Sequence, residues 1–273
     1  MPFFETQDGT HIHYNDWGTG QPVILVHGWP LDADMWEYQS VHLANHGYRV
    51  ITYDRRGFGR SGQPWSGYDY DTLAADLNTL IEKLDLQAVT LVGFSMGGGE
   101  VARYVGHYGT ARIARVAFIA AVTPYLLKGP TNEDGVDRSV FDQMVDGLQN
   151  DRPGFLAPFG KTFFGAGMLN FSVSSEILQW ASQMALMASP KATIDCVRAF
   201  SETDFRADLA KLTVPTLIVH GDADATVPLA ASAEKTAKLV PHAVLKVYGG
   251  APHALMYTER DRLNVDLLDF LGS

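Results

Sequence analysis

Five stretches of the chain are largely apolar and stop abruptly: Pro22 to Gly28, Arg49 to Asp54, Ala88 to Gly93, Val116 to Ala121 and Thr216 to Gly221. Runs of this length without alternation predict strands covered on both faces, as in a parallel sheet. A weaker run, Ala243 to Tyr248, and an alternating, half-exposed one, Thr10 to Trp17, extend the set. Helical periodicity fills the gaps. Leu73, Leu77, Leu80, Ile81 and Leu84 share one face of a helix over Thr72 to Leu84, and Gly97 to Tyr108, Ala230 to Val240 and Arg260 to Leu271 read the same way. Strands alternating with helices predict an α/β fold with a mostly parallel, twisted sheet flanked by helices.

The alternation stops between residues 123 and 205. There the sequence offers only helical pieces rich in Phe, Met and Trp: Val140 to Leu148, Glu176 to Met187 and Lys191 to Phe200. This predicts a core of residues 1–122 and 206–273 and a helical cap of residues 123–205 lying over one edge of the sheet. A helical subdomain without a gating role is the plainer alternative.

At 273 residues and 46% hydrophobic, the chain suits one large domain with an insertion. The net charge, 21 − 31 = −10, argues against nucleic acid as a partner, which would call for a basic stripe. Cys196 has no second cysteine to pair with, and its helical spacing predicts a half-buried small side chain. Met1 to Thr10 has neither the basic nor the apolar stretch of a signal peptide, and no run approaches the roughly 20 residues of a membrane span. A cytoplasmic protein, with no membrane partner, is expected.

The sharpest chemical signal is Gly93-Phe94-Ser95-Met96-Gly97, placed between a predicted strand and a predicted helix. This is the pattern of a nucleophile elbow, in which a tight turn lifts a serine hydroxyl above the sheet. A phosphate loop would need Lys and Ser/Thr after the glycines; here Gly99 is followed by Glu100, a carboxylate expected to repel phosphate from the same site. A serine needs a base, and the base needs an acid to hold its tautomer. The loop after Val219 offers Asp224, with Asp222 as competitor, the latter read as a turn-capping carboxylate; the segment before the last helix offers His253. Donors for a developing oxyanion are expected at the backbone N–H of Met96 and of Trp29, since Pro30 has none. His27 and His220 are expected to bond to loop backbone. His11 and His13 read as structural or solvated rather than as metal ligands, and no metal site is expected.

The chain resembles the alpha/beta hydrolase superfamily over essentially its whole length, and within it the bacterial arylesterases and cofactor-free haloperoxidases (perhydrolases). The resemblance rests on His27 to Leu31, Asp54 to Ser61, Gly93 to Tyr104, Phe118 to Pro124 and His220 to Asp224. It implies Ser95, Asp224 and His253 as a triad, Trp29 and Met96 as oxyanion donors, and a small cap over a modest pocket. It implies a small ester or carboxylic acid, with water or hydrogen peroxide, as reactants, and no cofactor. Self-association is common in the family, and related enzymes open small lactams. Pro in the oxyanion loop, here Pro30, is associated in the family with better perhydrolysis. One departure stands out: Ala254 follows His253 where the family more often has Gly. Epoxide hydrolases and haloalkane dehalogenases share the fold but need a carboxylate where Ser95 stands. A ligand-sensing protein that keeps the triad without turnover is the non-enzymatic alternative. Phe141, Phe155, Phe159, Phe163, Phe164 and Trp180 are candidates for an apolar acyl or aryl site, with plain core packing as the alternative.

Overall fold

The computed structural model describes residues 2–166 and 173–272; residues 167–172 of the expected cap lie outside the described residues. The strands are β1 Phe3–Glu5, β2 His11–Trp17, β3 Pro22–Val26, β4 Arg49–Tyr53, β5 Val89–Phe94, β6 Ile113–Ile119, β7 Thr216–Gly221 and β8 Val244–Tyr248. They form one sheet in the order β1-β2-β4-β3-β5-β6-β7-β8. The β1–β2 and β2–β4 pairs are antiparallel, and every later pair is parallel.

Side-chain alternation along the strands explains why the runs are apolar throughout. In β3, Ile24 and Val26 enter one core while Val23 and Leu25 enter the other; Leu91 against Val92 and Phe118 against Ala117 repeat the pattern. The first core is closed by α2 Tyr70–Lys83, α3 Met96–Tyr108, the short α7 Arg206–Leu209 and α8 Ala233–Leu239. The second is closed by α1 Glu37–Asn45, the short α9 Leu255–Thr258 and α10 Arg260–Gly272.

Between β6 and β7 come α4 Arg138–Phe163, α5 Ser175–Met187 and α6 Pro190–Glu202. The break in α4 falls at Asp151, whose backbone is non-helical (φ −152°, ψ 83°) and whose carboxylate accepts the Gly154 N–H, recapping the helix as it enters Pro153.

The expected elements are present with several corrections. β1 and α1 were not expected. The stretch Ala230 to Val240 is interrupted at Ser232, where a 3₁₀ turn over Leu229–Ala231 gives way to α8. Cys196 is fully buried in the core rather than half-buried. Among the described residues no helix is long and apolar enough to cross a membrane.

Strand order reverses around β3, with β4 on one side and β5 on the other. Loops leaving such a switch point diverge to opposite faces and open a crevice at the carboxyl ends of the strands. The loop after β3, the β5–α3 turn and the loops after β7 and β8 all emerge at that end, where the candidate residues lie.

Candidate active site

Ser95 occupies the turn between β5 and α3 with φ 52° and ψ −119°, a left-handed conformation that costs a non-glycine residue on the order of 1–3 kcal/mol. The turn is held by Ser95 N–H donating to the Ile119 carbonyl and by Gly98 N–H donating to the Ser95 carbonyl. Its flanking glycines are sterically required: a Cβ on Gly93 would lie 2.5 Å from the Gly97 carbonyl oxygen, and one on Gly97 would lie 2.5 Å from that of Val26.

The three residues expected to act together are in register. His253 Nδ1 lies 2.6 Å from Asp224 Oδ2, and His253 Nε2 lies 2.9 Å from Ser95 Oγ. With the Nδ1 proton donated to the carboxylate, Nε2 is left to accept from the serine hydroxyl. Asp224 Oδ1 accepts the backbone N–H groups of Thr226 and Val227, both at 2.8 Å. Burial would raise the Asp224 carboxyl, but the neighbouring His253 and His220 outweigh it and hold it well below the usual carboxylate range. His220 bonds the Val227 carbonyl through Nε2, as expected for loop support, and that nitrogen also lies 3.2 Å from Asp224 Oδ2. Asp222 is exposed and accepts the Gly250 N–H at 2.6 Å, tying the loop after β7 to the loop that carries His253.

Ala254, the departure from the family pattern, is accommodated. Its φ of −75° needs no glycine, its methyl is buried, and its N–H donates to the Phe163 carbonyl at the end of α4. Phe163 also stands edge-on to the His253 imidazole, with ring centres 4.9 Å apart.

Beneath the turn lies a buried polar strut. His27 Nε2 accepts the Arg55 N–H at 2.9 Å, which places its proton on Nδ1, and Nδ1 donates to the Gly28 carbonyl at 2.9 Å. Burial, then the Arg55 charge, lowers the His27 pKa to about 3 and keeps the ring neutral. A trans peptide sets its carbonyl and N–H in opposite directions, so pinning the Gly28 carbonyl orients the N–H of Trp29. The Gly28 backbone passes so close to Ser95 that a Cβ on it would lie 3.1 Å from the Ser95 Cβ. Arg55 also donates to the His27 carbonyl at 2.8 Å and to Glu100 Oε2 at 2.7 Å, and Glu100 bonds the Tyr53 hydroxyl. Glu100 therefore points under the elbow and pairs with Arg55, which corrects the expectation that its carboxylate faces the site. Composition and periodicity give no signal for this strut.

Among the described residues, neither the Trp29 nor the Met96 backbone N–H has a protein acceptor. Trp29 and Ser95 open on a cavity of about 280 Å³, walled further by Phe141, Phe155, Phe159, Phe200 and Val227. Phe163 and Phe164 line a neighbouring cavity instead, and Trp180 packs against Tyr257, so half of the six aromatic candidates face elsewhere. Pro30 follows a cis Trp29–Pro30 bond and lines the neighbouring cavity rather than the one containing Ser95. His11 is exposed, and His13 is buried with Nδ1 3.4 Å from Asp54.

The family model for the alpha/beta hydrolase fold matches residues 21–259, and the chain belongs to that family. It is 44% identical to a non-heme chloroperoxidase of Kitasatospora aureofaciens over 274 aligned residues, spanning 100% of both chains. It is 41% identical to a bifunctional esterase/perhydrolase of Acinetobacter calcoaceticus, again over 100% of each. A bromoperoxidase structure from Bacillus anthracis superposes with a TM-score of 0.95 at 51% identity, covering 98% of this chain and 97% of that one.

Proposed function

We propose that this enzyme cleaves small aryl and alkyl carboxylic esters through an acyl-enzyme on Ser95, and that hydrogen peroxide competes with water for that acyl group. The carrying observation is the hydrogen-bonded chain Ser95–His253–Asp224 opening on a largely apolar cavity of about 280 Å³. The names of the haloperoxidase and esterase/perhydrolase relatives support both halves of the reading.

Ser95 Oγ attacks the ester carbonyl as His253 Nε2 takes its proton, and the resulting imidazolium faces the Asp224 carboxylate. The N–H groups of Trp29 and Met96 receive the oxyanion, and His253 returns the proton to the departing alcohol. Water then releases the carboxylic acid. With hydrogen peroxide in place of water, the peroxide oxygen bonds to the acyl carbon, its proton passes through His253 to Ser95, and a peracid leaves. The peracid with bromide and a proton gives the carboxylic acid and hypobromous acid, so halide oxidation occurs off the protein and needs no cofactor. Pro30, in the loop carrying the Trp29 N–H, is the residue assigned to favour peroxide over water at the acyl-enzyme. The proposed cap, residues 123–205, supplies most of the apolar wall, and the proposed core, 1–122 and 206–273, supplies the reacting groups.

The test is a paired assay of wild type and Ser95→Ala. One arm follows p-nitrophenyl acetate hydrolysis; the other follows bromination of a dye in acetate, hydrogen peroxide and bromide. Both activities should be present in the wild type and lost together in the variant. Bromination that survives the substitution would refute the shared acyl-enzyme.

A further inference from the structure

The Ser95 cavity has a neighbour of about 220 Å³, lined by Pro30, Leu31, Phe163, Leu178, Ala181 and Ser182 among others. The second half of α4 is the partition between them. Phe155, Phe159 and Thr162, spaced at i, i+4 and i+7, face the Ser95 cavity, while Leu156, Gly160 and Phe163 face the neighbour. The loop after β3 repeats the division, with Trp29 on one side and Pro30 on the other. Phe159 alone among the described residues belongs to both walls. It is held edge-on to Trp29 at 5.2 Å between ring centres and stacked on Phe155 at 5.9 Å. Beside it, Ala157 and Gly160 bring only a methyl and bare backbone to the wall of the second cavity.

We infer that the second cavity is a subsite for the alcohol arm of longer esters, and that the Phe159 ring closes it off and so sets the length of alcohol the enzyme accepts. This rests on the ester-cleaving reading above. The assignment to the alcohol follows from proton transfer: the departing oxygen takes its proton from His253 Nε2, so the alcohol leaves past the imidazole. Phe163, which covers that imidazole, is also a wall of the second cavity and a neighbour of Phe159, with ring centres 6.0 Å apart. The lining is mainly apolar, with Lys161, Gln179 and Ser182 as its polar members, which suits alkyl and arylalkyl chains better than charged or polyhydroxylated ones.

Two ester series separate the arms. The alcohol series holds the acyl group constant (ethyl, butyl, octyl and 4-phenylbutyl acetate); the acyl series holds the leaving group constant (p-nitrophenyl acetate, butyrate and octanoate). In Phe159→Ala the kcat/KM ratio of octyl to ethyl acetate should rise about tenfold or more, the scale on which hydrophobic pockets discriminate chain length. The acyl-series ratio should change far less. Adding Ser182→Phe, which fills only the second cavity, should cancel the rise. Phe159→Leu should give a smaller rise and serves if the alanine variant does not fold. An unmoved alcohol ratio, a rise confined to the acyl series, or a rise that survives Ser182→Phe would each overturn the inference. If wild-type ester turnover persists in Ser95→Ala, the underlying reading fails; if turnover depends on Ser95 and the ratios stay still, the subsite alone fails.

Discussion

Exchanging one oxygen of Asp224 for an amide nitrogen would test the direction of the proton chain. In Asp224→Asn the remaining oxygen keeps the two backbone N–H groups of Thr226 and Val227, so the new NH₂ faces His253. The imidazole must then accept at Nδ1 and carry its proton on Nε2, aimed at Ser95, where it cannot take the hydroxyl proton. Folding should survive while kcat falls about ten-thousand-fold with little change in KM. Steady-state kinetics on p-nitrophenyl acetate read this directly, and a loss of less than tenfold would contradict the chain as drawn. The convergence of Ser95, Asp224 and His253 was legible because Gly93 to Gly97 marks a strand–turn–helix elbow and the segments after β7 and β8 each offer an acid or an imidazole. Asp222 was the competitor that only the geometry set aside. The strut of His27, Arg55 and Glu100 was not legible, since its members lie 28 and 45 residues apart and meet only through the sheet.

That strut joins two elements, the loop carrying Trp29 and the helix α3 that begins at Met96. Arg55 and Glu100 are both almost completely buried, so removing one charge strands the other. Glu100→Gln should cost about 3–5 kcal/mol in urea unfolding, whereas Asp16→Asn, which breaks the partly exposed pair with Arg49, should cost far less. Equal effects would mean that the inner pair is not desolvated as drawn. At this scale the strands of the double-sided sheet were readable because burial on both faces demands apolar residues throughout. Helix α1 escaped because its buried positions include Gln39 and Ser40, the former donating to the Met256 carbonyl, so no apolar stripe advertises it. The aromatics of α4 were ambiguous for the opposite reason. Both faces of its second half meet an apolar cavity, and periodicity cannot say which cavity contains the serine.

For the whole molecule, stability should tilt with pH through Asp32, which caps the 3₁₀ turn Ala33–Trp36. Burial first, then the charges of Asp54 and Asp34, raise its pKa to about 7. A carboxyl raised on folding favours the native state fully below its unfolded value of about 4, and that contribution is lost as pH climbs through 7. Asp32→Asn keeps a capping side chain and does not titrate. Its melting temperature should therefore gain on the wild type as pH moves from 4 to 8, by roughly 5 °C, as thermal melts in a buffer series would register. A constant difference across that range would contradict the assignment. The bond from Ala254 N–H to the Phe163 carbonyl also carries a mechanical consequence. It moors the end of α4 to the segment that holds the imidazole, and the Phe163 ring lies against that imidazole as well. A hinge that lifted this end of α4 would drag the His253 imidazole away from Ser95, so on the proposed mechanism admission and catalysis cannot share that route. Traffic is left to a route that keeps this end of α4 in place, such as the side where exposed Gln143, in the first half of α4, borders the Ser95 cavity.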